Sequence, residues 1–422
     1  MIDRRKAIRN AILGLGAATV PRSLFQKLTV DDKFKIALNI ANDNPDKYWQ
    51  LIQSQFSFAN GIRYFNNASL GSSPLSVIEA REEFSRTLES FPSKYMWGGW
   101  KDQINEVRIE AAKFINAESD EIAIIHNTTE GMNVIASSLN LKPGDEVIVG
   151  DHEHRTGVSP WLFHQEKKGI KIIRPILPLT PDNPQEIVET YKEVISPRTK
   201  AISMVHITNT NGMILPVKEI CAIASEKNIL TLIDGAQSLG AYPCDVKKMG
   251  CDYFTASGHK WLFSPKGVAL FYARKESQKW LKPFIANYNY DKDGISKIDD
   301  YNTRNLPDVL GLGAAIQFHK MIGLKSIMAR TLDLKKRFLS RLKDHPQFKI
   351  KTPLGQDQSH HILTIEKIGI DVNDLKESLF NKNGIDVRGM SSHNLNGIRI
   401  SFAMYQKEED IDLLIDTLLN AE

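Results

Sequence analysis

The sequence predicts an α/β fold with a mostly parallel seven-stranded sheet, covered by helices on both faces, and a smaller C-terminal α+β domain. Two observations support this prediction. Between about residues 107 and 275, seven apolar and β-branched runs alternate with amphipathic helical stretches, a pattern typical of parallel strands buried on both faces. After about residue 305 the pattern changes to long helical stretches and a few strands, which indicates a separate unit.

The strands of the large sheet are predicted from seven apolar runs, at 121–125, 145–150, 170–176, 200–207, 229–234, 251–256 and 267–272. Helices are predicted between them at 129–139, 185–195 and 216–228. Pro184 and Pro216 suit a helix start, because proline is tolerated in the first turn. The last two strands have no helix between them, so one antiparallel strand is expected.

The C-terminal part begins with a predicted long helical stretch at about 307–343. Strands are expected at 360–366, 384–390 and 397–403, and further helices near 371–382 and 407–420. Residues 31–60 are expected to be helical and to pack on one of the two domains. The predicted organisation is a leader at 1–30, a helical segment at 31–60, a large domain at 61–306 and a small domain at 307–422.

The composition is that of an ordinary soluble protein, with 422 residues of which 42% are hydrophobic and 25% are charged. The net charge is +4, and residues 1–30 contain six basic residues but only one acidic residue. The basic excess therefore belongs to the N-terminal segment. Nothing in the remaining chain favours a nucleic-acid partner.

The first thirty residues resemble an export signal. A basic patch that contains Arg4 and Arg5 precedes a mildly apolar run at 11–20. Ten such residues cannot span a hydrocarbon core of ~30 Å, so no stable membrane insertion is expected. The pattern favours a twin-arginine signal and a periplasmic or exported protein. The alternative is a disordered or amphipathic arm on a cytoplasmic protein.

The three cysteines, Cys221, Cys244 and Cys251, have no metal-ligand spacing and are odd in number. No metal site and no disulfide framework are therefore expected from them. They are interpreted as small apolar residues of the core.

Polar residues with chemical potential lie where the predicted strands end, which is where open α/β sheets bind ligands. Thr128 and Thr129 follow the first strand and open a helix, whose free N–H groups either hold an anion or are simply capped. His152 and His154 follow the second strand. They suggest either part of a metal site or an imidazole that stacks on a flat cofactor.

The later strand ends add further polar groups. Asn209 offers an amide or serves as a turn residue, and Asp234, followed by Gln237, needs a cation unless it caps the next helix. The segment TASGHKWLF at 255–263 contains Ser257, His259 and Lys260. Lys260 lies beside apolar side chains, so it either snorkels or has a depressed pKa. An anion cradle, an imidazole, a carboxylate and a desolvated lysine at one sheet edge are the parts that hold pyridoxal phosphate.

These motifs together resemble the class V aminotransferase family, fold-type I pyridoxal-phosphate enzymes that include cysteine desulfurases and isopenicillin N epimerase. The resemblance extends from YFNNASLGSSP (64–74) to IRISFAMYQKEEDID (398–412). It rests on NTTEGMN, DHEHRTG, DGAQ, SGHKWLFSPKG and NTRN. It implies pyridoxal 5'-phosphate as cofactor, an amino acid or amino-acid derivative as substrate, and a homodimer with the active site at the subunit interface.

The resemblance also implies roles for single residues. Lys260 would form the Schiff base with the cofactor and act as the proton-transfer base, Asp234 would keep the ring nitrogen protonated, and His154 would stack on the ring. Gln237 would bond the phenolic oxygen. The other implied cofactor contacts are Thr128, Thr129, Glu130, Asn209, Ser257, His259 and Thr303, the last from the partner subunit. The implied substrate contacts are Asn67, Asn209 and Arg399, of which Arg399 would bind the α-carboxylate.

One departure bears on the reaction. Desulfurases of this family carry a nucleophilic cysteine on a loop shortly before that arginine, whereas the loop RGMSSHNLNG (388–397) has none and no cysteine follows Cys251. A cysteine desulfurase is therefore disfavoured. The lysine segment HKWLFSPKG resembles the epimerase branch, while Asp-Gly-Ala-Gln (234–237) is desulfurase-like.

The expected function is a pyridoxal-phosphate enzyme that removes the Cα proton of an amino acid with Lys260, of the epimerase or the C–S/β-lyase type. An aminotransferase is an alternative. Two other classes remain open: a non-catalytic binding protein with the same fold, and a metal enzyme that uses His152, His154 and His259.

Overall fold

The computed structural model describes residues 32–41, 44–393 and 395–421. The predicted leader at 1–30 lies outside these residues, so the export prediction stays a prediction. Within the part of the chain that is described, no helix is both long and apolar enough to cross a membrane.

The secondary structure follows one chain order. The strands are β1 (Arg63–Tyr64), β2 (Ile122–Ile125), β3 (Glu146–Val149), β4 (Lys171–Ile173), β5 (Thr199–Val205), β6 (Leu230–Asp234), β7 (Tyr253–Ser257), β8 (Ala269–Ala273), β9 (Phe348–Ile350), β10 (Ile362–Lys367), β11 (Ile385–Asp386), β12 (Arg388–Met390) and β13 (Gly397–Ser401). The longer helices are α1 (Asp32–Ala41), α2 (Pro45–Gln53), α3 (Leu75–Ser90), α4 (Lys101–Phe114), α5 (Thr128–Ser138), α6 (Arg155–Lys168), α7 (Pro184–Glu193), α8 (Val217–Glu226), α9 (Leu306–Ile322), α10 (Leu324–Leu342), α11 (Val372–Asn383) and α12 (Glu408–Leu419).

The seven apolar runs form one seven-stranded sheet in the order β2-β8-β7-β6-β5-β3-β4. Strands β3 to β7 pair in parallel, while β8 is antiparallel to both of its neighbours, β2 and β7. The prediction of a mostly parallel sheet with one antiparallel strand is therefore confirmed. The physical basis is the burial of both faces, which makes nearly every strand residue apolar.

Helices cover both faces of this sheet, as predicted. Along β2, Ile122 and Ile124 belong to the core cluster that includes side chains of α3, α4, α7, α8 and α9. The alternate residues Ala123 and Ile125 belong to the cluster that includes α5 and α6. Side chains alternate between the faces of a strand, so each face has its own core.

The second sheet is antiparallel and has the order β12-β13-β10-β9. Its core includes side chains of α10, α11 and α12. The prediction of one long helical stretch at 307–343 is wrong in one respect, because Gly323, with φ +83°, separates α9 from α10. The predicted strand at 384–390 is likewise two strands, since β11 pairs with β1 and β12 joins the small sheet.

Helix α9 packs on α3 and α4 and contributes to the core of the large sheet, whereas α10 contributes to the core of the small one. The domain boundary near residue 306 stays a prediction. Helices α1 and α2 pack between the two units rather than on one of them, since Phe34 of α1 and Ile52 of α2 share a core cluster with side chains of both units. The segment after α2 does the same. Phe56 contacts both Phe263, at 5.3 Å between ring centroids, and Tyr405, at 4.8 Å.

Candidate active site

Lys260 lies on the loop that connects β7 to β8, and its backbone is held from two sides. Asn67 Nδ2 donates to the Lys260 carbonyl at 3.1 Å, and the Gly71 N–H donates to the His259 carbonyl at 3.0 Å. A Cβ atom on Gly71 would lie 2.1 Å from the Lys260 carbonyl oxygen. This close approach of two backbone segments requires glycine.

The charge of Lys260 is set by its surroundings. Burial, opposed by the carboxylate of Asp234 and aided by the guanidinium of Arg399, lowers the pKa of Lys260 to about 8. A lysine with such a pKa loses its proton readily near neutral pH, which is the property of a general base or a nucleophile.

Asp234 ends β6 and is buried, with Oδ1 accepting a hydrogen bond from the Ala236 N–H at 2.8 Å. Burial raises the pKa of Asp234, and the charge of Lys260 works in the opposite direction. The two side chains therefore stabilise each other's charged forms. This is the cation that the sequence analysis required for a carboxylate at the end of an apolar strand.

Glu153 is a second buried carboxyl group beside Asp234, and the sequence analysis did not identify it. Its Oε1 accepts from the Val205 N–H at 2.7 Å, and its Oε2 has no partner among the described residues. Burial and the nearby charge of Asp234 raise the pKa of Glu153 well above its ordinary value. The protonated form of Glu153 is therefore favoured next to Asp234. The sequence feature that could have identified Glu153 is its position directly before His154.

His154 is the N-cap residue of α6, and its Nδ1 accepts a hydrogen bond from the Thr156 N–H at 3.3 Å. Partial burial lowers the pKa of His154, and the charge of Lys260 adds to this effect. The neutral form of the ring is therefore favoured, and the residue is exposed. A neutral ring at this sheet edge suits the predicted stacking role.

Thr128 and Ser257 join the start of α5 to the end of β7. The Thr128 N–H donates to Ser257 Oγ at 2.9 Å, and the Ser257 N–H donates to Thr128 Oγ1 at 2.8 Å. Thr129 lies in the same first turn. The structure thus brings together three residues predicted for the phosphate site, at the N-terminus of a helix, where an anion is favoured.

Glu130 is directed elsewhere. Its carboxylate accepts from the His126 N–H at 2.7 Å and from the Tyr301 hydroxyl.

Thr303 is exposed on the segment that follows Tyr301 and precedes α9. His259 is partly buried, and burial together with the charge of Lys260 lowers its pKa to about 4.

Gln237 and Asn67 are both engaged with the protein itself. Gln237 Nε2 donates to the Ala68 carbonyl at 2.9 Å, and its Oε1 accepts from the Trp261 indole at 2.8 Å. Asn67 Oδ1 accepts from the Tyr405 hydroxyl at 3.2 Å, while its Nδ2 holds Lys260. An amide nitrogen has two N–H groups, so each side chain keeps one donor beyond these bonds. Through these bonds, both amides hold the loop that carries Lys260 in position.

Arg399, on β13, is a cation without a carboxylate. Only 3% of the residue is exposed, and no acidic group of the described chain lies within 4.0 Å of it. Its two terminal nitrogens donate to the Asn209 carbonyl at 2.8 Å and to Ser69 Oγ at 2.6 Å. Burial lowers the pKa of Arg399 to about 10. An unpaired buried charge is costly, so the position suits an anionic ligand.

Two buried polar atoms next to this contact lack partners among the described residues, Arg399 Nε and Asn209 Oδ1. Buried polar groups are nearly always hydrogen-bonded in folded proteins. Both atoms are therefore available to bond a molecule bound beside Arg399.

His152 is engaged with a threonine and a second histidine. Its Nδ1 bonds Thr210 Oγ1 at 2.6 Å, and its ring stacks on that of His393 at 4.4 Å between centroids. His393 in turn donates from Nε2 to the Asp151 carbonyl at 2.8 Å. The pair attaches the loop before Arg399 to the large sheet. In the described residues, no three His, Cys, Asp or Glu side chains are grouped as metal ligands.

Comparison with known proteins assigns the family. The model of the aminotransferase class-V family matches residues 63–414, most of the chain. This protein belongs to the class-V aminotransferase family. Its fold is that of fold-type I pyridoxal-phosphate enzymes, and it is an enzyme that depends on pyridoxal phosphate.

Family members with different activities are similar to this chain. Isopenicillin N epimerase of Streptomyces clavuligerus is 26% identical over 387 residues, which cover 88% of this chain and 97% of the epimerase. A probable cysteine desulfurase of Halalkalibacterium halodurans is 30% identical over 377 residues, 83% of this chain and 91% of that protein. The solved structure of a cysteine desulfurase from Escherichia coli has a TM-score of 0.77 at 23% identity, over 88% of this chain and 98% of that one.

The residues at the sheet edge fit the family's cofactor. A buried carboxylate, Asp234, suits the ring nitrogen, the first turn of α5 with Ser257 suits the phosphate, and Asn209 Oδ1 is a buried acceptor without a partner. When bound, pyridoxal phosphate supplies a pyridine ring that withdraws electrons from a bond at Cα. The roles assigned to the single residues stay predictions.

Proposed function

We propose that this enzyme acts on an amino acid or a small amino-acid derivative by removing the Cα proton with Lys260, as an epimerase or a C–S/β-lyase. One observation carries the proposal. Lys260, with its pKa lowered to about 8, is influenced by the charges of both the buried carboxylate of Asp234 and the buried guanidinium of Arg399. A base, an acid partner for the cofactor and a site for a carboxylate are thus combined in one place.

Arg399 binds the substrate α-carboxylate. Its guanidinium is oriented by the Asn209 carbonyl and by Ser69 Oγ, and it lacks an acidic partner in the described chain. A bidentate pair between guanidinium and carboxylate fixes both the position and the orientation of the substrate. The Cα–H bond can then be directed at Lys260 Nζ.

Lys260 takes the Cα proton as its neutral amine. Return of a proton to Cα on the opposite face gives the epimer, whereas departure of a β-substituent with its electron pair gives the lyase product. Return of the proton to another carbon leads to transamination, so the alternative function is that of an aminotransferase. Both main routes use the same base, so they are separated by product analysis.

The cysteines support this choice over a desulfurase. The chain has three, and none lies in the loop before Arg399. All three are buried as predicted, and burial raises the thiol pKa of Cys221 and of Cys244 to about 12. A thiol nucleophile has to be accessible and readily deprotonated, which these are not.

Two further parts of the proposal concern assembly and location. A homodimer is supported by exposed apolar side chains at Phe284, Ile285 and Tyr288, near the cavity that Tyr301 and Asn302 line just before Thr303. Export is supported by the paired arginines and short apolar run of the leader.

The proposed chemistry is tested with a panel of amino acids in deuterated water. Cα exchange, loss of optical activity, keto-acid release and sulfide release are scored together in the cofactor-loaded enzyme. We expect exchange at Cα with epimer formation or β-elimination for one substrate class, and its loss in Lys260→Ala. Exchange that persists in Lys260→Ala would contradict the role of Lys260. Cofactor binding without any exchange across the panel would favour the non-catalytic alternative.

A further inference from the structure

A second cleft lies where the small sheet's helix α10 meets the large domain. It has a volume of about 530 Å³. Its walls come from α10, from the segment 354–360, and from Ile214 and Tyr242 of the large domain. It contains none of the residues around Lys260 described above. Clefts of this size hold small organic molecules.

The walls are largely apolar. The side chains that form them include Ile214, Met328, Leu332, Leu339 and Leu354. Apolar area of this kind binds a hydrocarbon body. The cleft therefore differs from a site for a free inorganic ion.

Lys335 is the buried cation of this cleft. Only 3% of the residue is exposed, and its Nζ donates to Ser359 Oγ at 2.8 Å. The Ser359 hydroxyl itself donates to the Pro353 carbonyl, so Ser359 accepts a bond without neutralising the charge. No carboxylate of the described residues lies within 4.0 Å of Lys335 Nζ. Burial alone lowers its pKa to about 7.

His360 provides a second buried polar group. It is 8% exposed, lines the cleft, and its Nδ1 has no hydrogen-bond partner in the described part of the chain. Burial and the charge of Lys335 lower its pKa to about 4, so the ring is neutral. A neutral imidazole with a free Nδ1 can donate one hydrogen bond in the matching tautomer.

The charges around the cleft also favour an anion. Lys336 and Lys343 line it together with Lys335, and the acidic residue among its lining residues is Asp357. Asp357 acts on the pKa of His360 and of Tyr242, while the shift of Lys335 has burial as its cause. Lys336 lies 4.0 Å from the carboxylate of Asp333, whereas no carboxylate of the described residues is that close to Lys335, which leaves Lys335 without a counter-ion.

We propose that this cleft binds an aliphatic monocarboxylic acid, with the carboxylate at Lys335 and His360 and the hydrocarbon chain against the apolar walls of α10. The carboxylate of the acid supplies the counter-ion that Lys335 lacks, and the hydrocarbon chain of the acid covers the apolar walls of the cleft. This site is separate from the proposed catalytic function and does not depend on it.

The test is calorimetric titration of the cofactor-loaded enzyme with octanoate, compared with 1-octanol, which has the same chain without the charge. We expect one saturable octanoate site, and affinity weaker by about tenfold or more for octanol and for Lys335→Met. Lys335→Gln keeps a polar group that can bond Ser359, so it controls for a packing defect in Lys335→Met. Its affinity for octanoate is expected to fall by the same factor. Lys325→Met, on the exposed side of α10, is the matched control and should bind as the wild type does.

Three results would overturn the proposal. One is the absence of saturable octanoate binding in the folded wild-type enzyme. Another is equal affinity for octanol, since the carboxylate would then contribute nothing. The third is unchanged octanoate binding in both Lys335 variants, which would place the acid elsewhere, for example at Arg399. Thermal unfolding of each variant confirms that the protein is folded.

Discussion

Lys260, Asp234 and Arg399 each have a pKa displaced by the loss of water, and the charges of Asp234 and Arg399 both act on the pKa of Lys260. Burial raises the pKa of the carboxyl group and lowers those of the two cations, Lys260 to about 8 and Arg399 to about 10. Perturbed groups that converge in one place are typical of functional sites. At the residue scale, this mutual dependence is what makes the site sensitive to single substitutions.

The first prediction concerns Asp234→Asn. We expect Cα exchange to fall by about two orders of magnitude or more, because the carboxylate that holds a proton on the cofactor's ring nitrogen is lost. The free energy of unfolding should also fall, because Lys260 loses the carboxylate that stabilises its charged form. Exchange rates and denaturant unfolding are measured on the same preparation. An unchanged exchange rate would refute the role of Asp234.

A second residue-scale prediction concerns Lys335 and pH. Its folded-state pKa is about 7, below the ordinary value of 10.5, so between these pH values the unfolded chain binds more protons than the folded one. Stability therefore rises with pH across this window and is lost as the pH falls toward 7. The rise from pH 7.5 to 9.0 amounts to about 2 kcal/mol from this group.

Urea unfolding at those two pH values tests this expectation. Lys335→Met should be more stable than the wild type at the lower pH, and the difference should shrink at the higher one. Lys325→Met is the control and should follow the wild type. Parallel pH profiles for the wild type and Lys335→Met would contradict the depressed pKa.

At the scale of elements, the strands of the large sheet were the most predictable part. Parallel strands buried on both faces appear in the sequence as continuous apolar runs, and the turn chemistry at their ends is local. The predictions were poorer where tertiary contacts define an element. Strands β1 and β9 have only two and three residues, and β11 separates from β12 because it pairs with β1. Such short pairings leave no periodic pattern.

The loop that carries Lys260 supports the third prediction. Gly71→Ala would place a methyl group 2.1 Å from the Lys260 carbonyl oxygen, so the two backbone segments have to separate. We expect weaker cofactor binding, a slower reaction and a loss of about 1–3 kcal/mol in stability. Leu70→Ala, at the adjacent exposed position, is the control and should change none of these. Cofactor affinity and thermal unfolding are the measurements, and normal affinity in Gly71→Ala would exclude a close contact.

At the scale of the whole molecule, exposed apolar side chains favour assembly into a dimer. Exposed Ile285 and Tyr288 are large apolar side chains that water does not favour. We expect a homodimer of twice the chain mass by light scattering, and a shift toward monomer in the double variant Ile285→Asp and Tyr288→Asp. Thr303→Ala should keep the dimer and weaken cofactor binding, if the threonine reaches the partner's phosphate site. A wild-type monomer that is fully active would contradict both expectations.

Export is the second whole-molecule prediction. A fusion of residues 1–30 to a folded reporter is expected to reach the periplasm only with the paired arginines intact, because that pair is the recognised feature of the signal. The measurement is reporter activity in the periplasmic fraction. Equal export of the Arg4→Lys and Arg5→Lys form would count against the twin-arginine route.

The local pattern of residues was enough to establish the parallel sheet, the lysine at its edge and the family, because strand burial and strand-end chemistry are short-range properties. Contacts between distant segments decided the rest. Arg399 is shown to lack a carboxylate only when Asn209 and Ser69 are brought beside it. Glu153 is found next to Asp234 only because it accepts a hydrogen bond from Val205, which pairs with Asp234 across β5 and β6. The unpaired Lys335 likewise appears only when α10 packs on the segment 354–360. Burial and missing partners are properties of the folded chain, so they carry no signature in the order of residues.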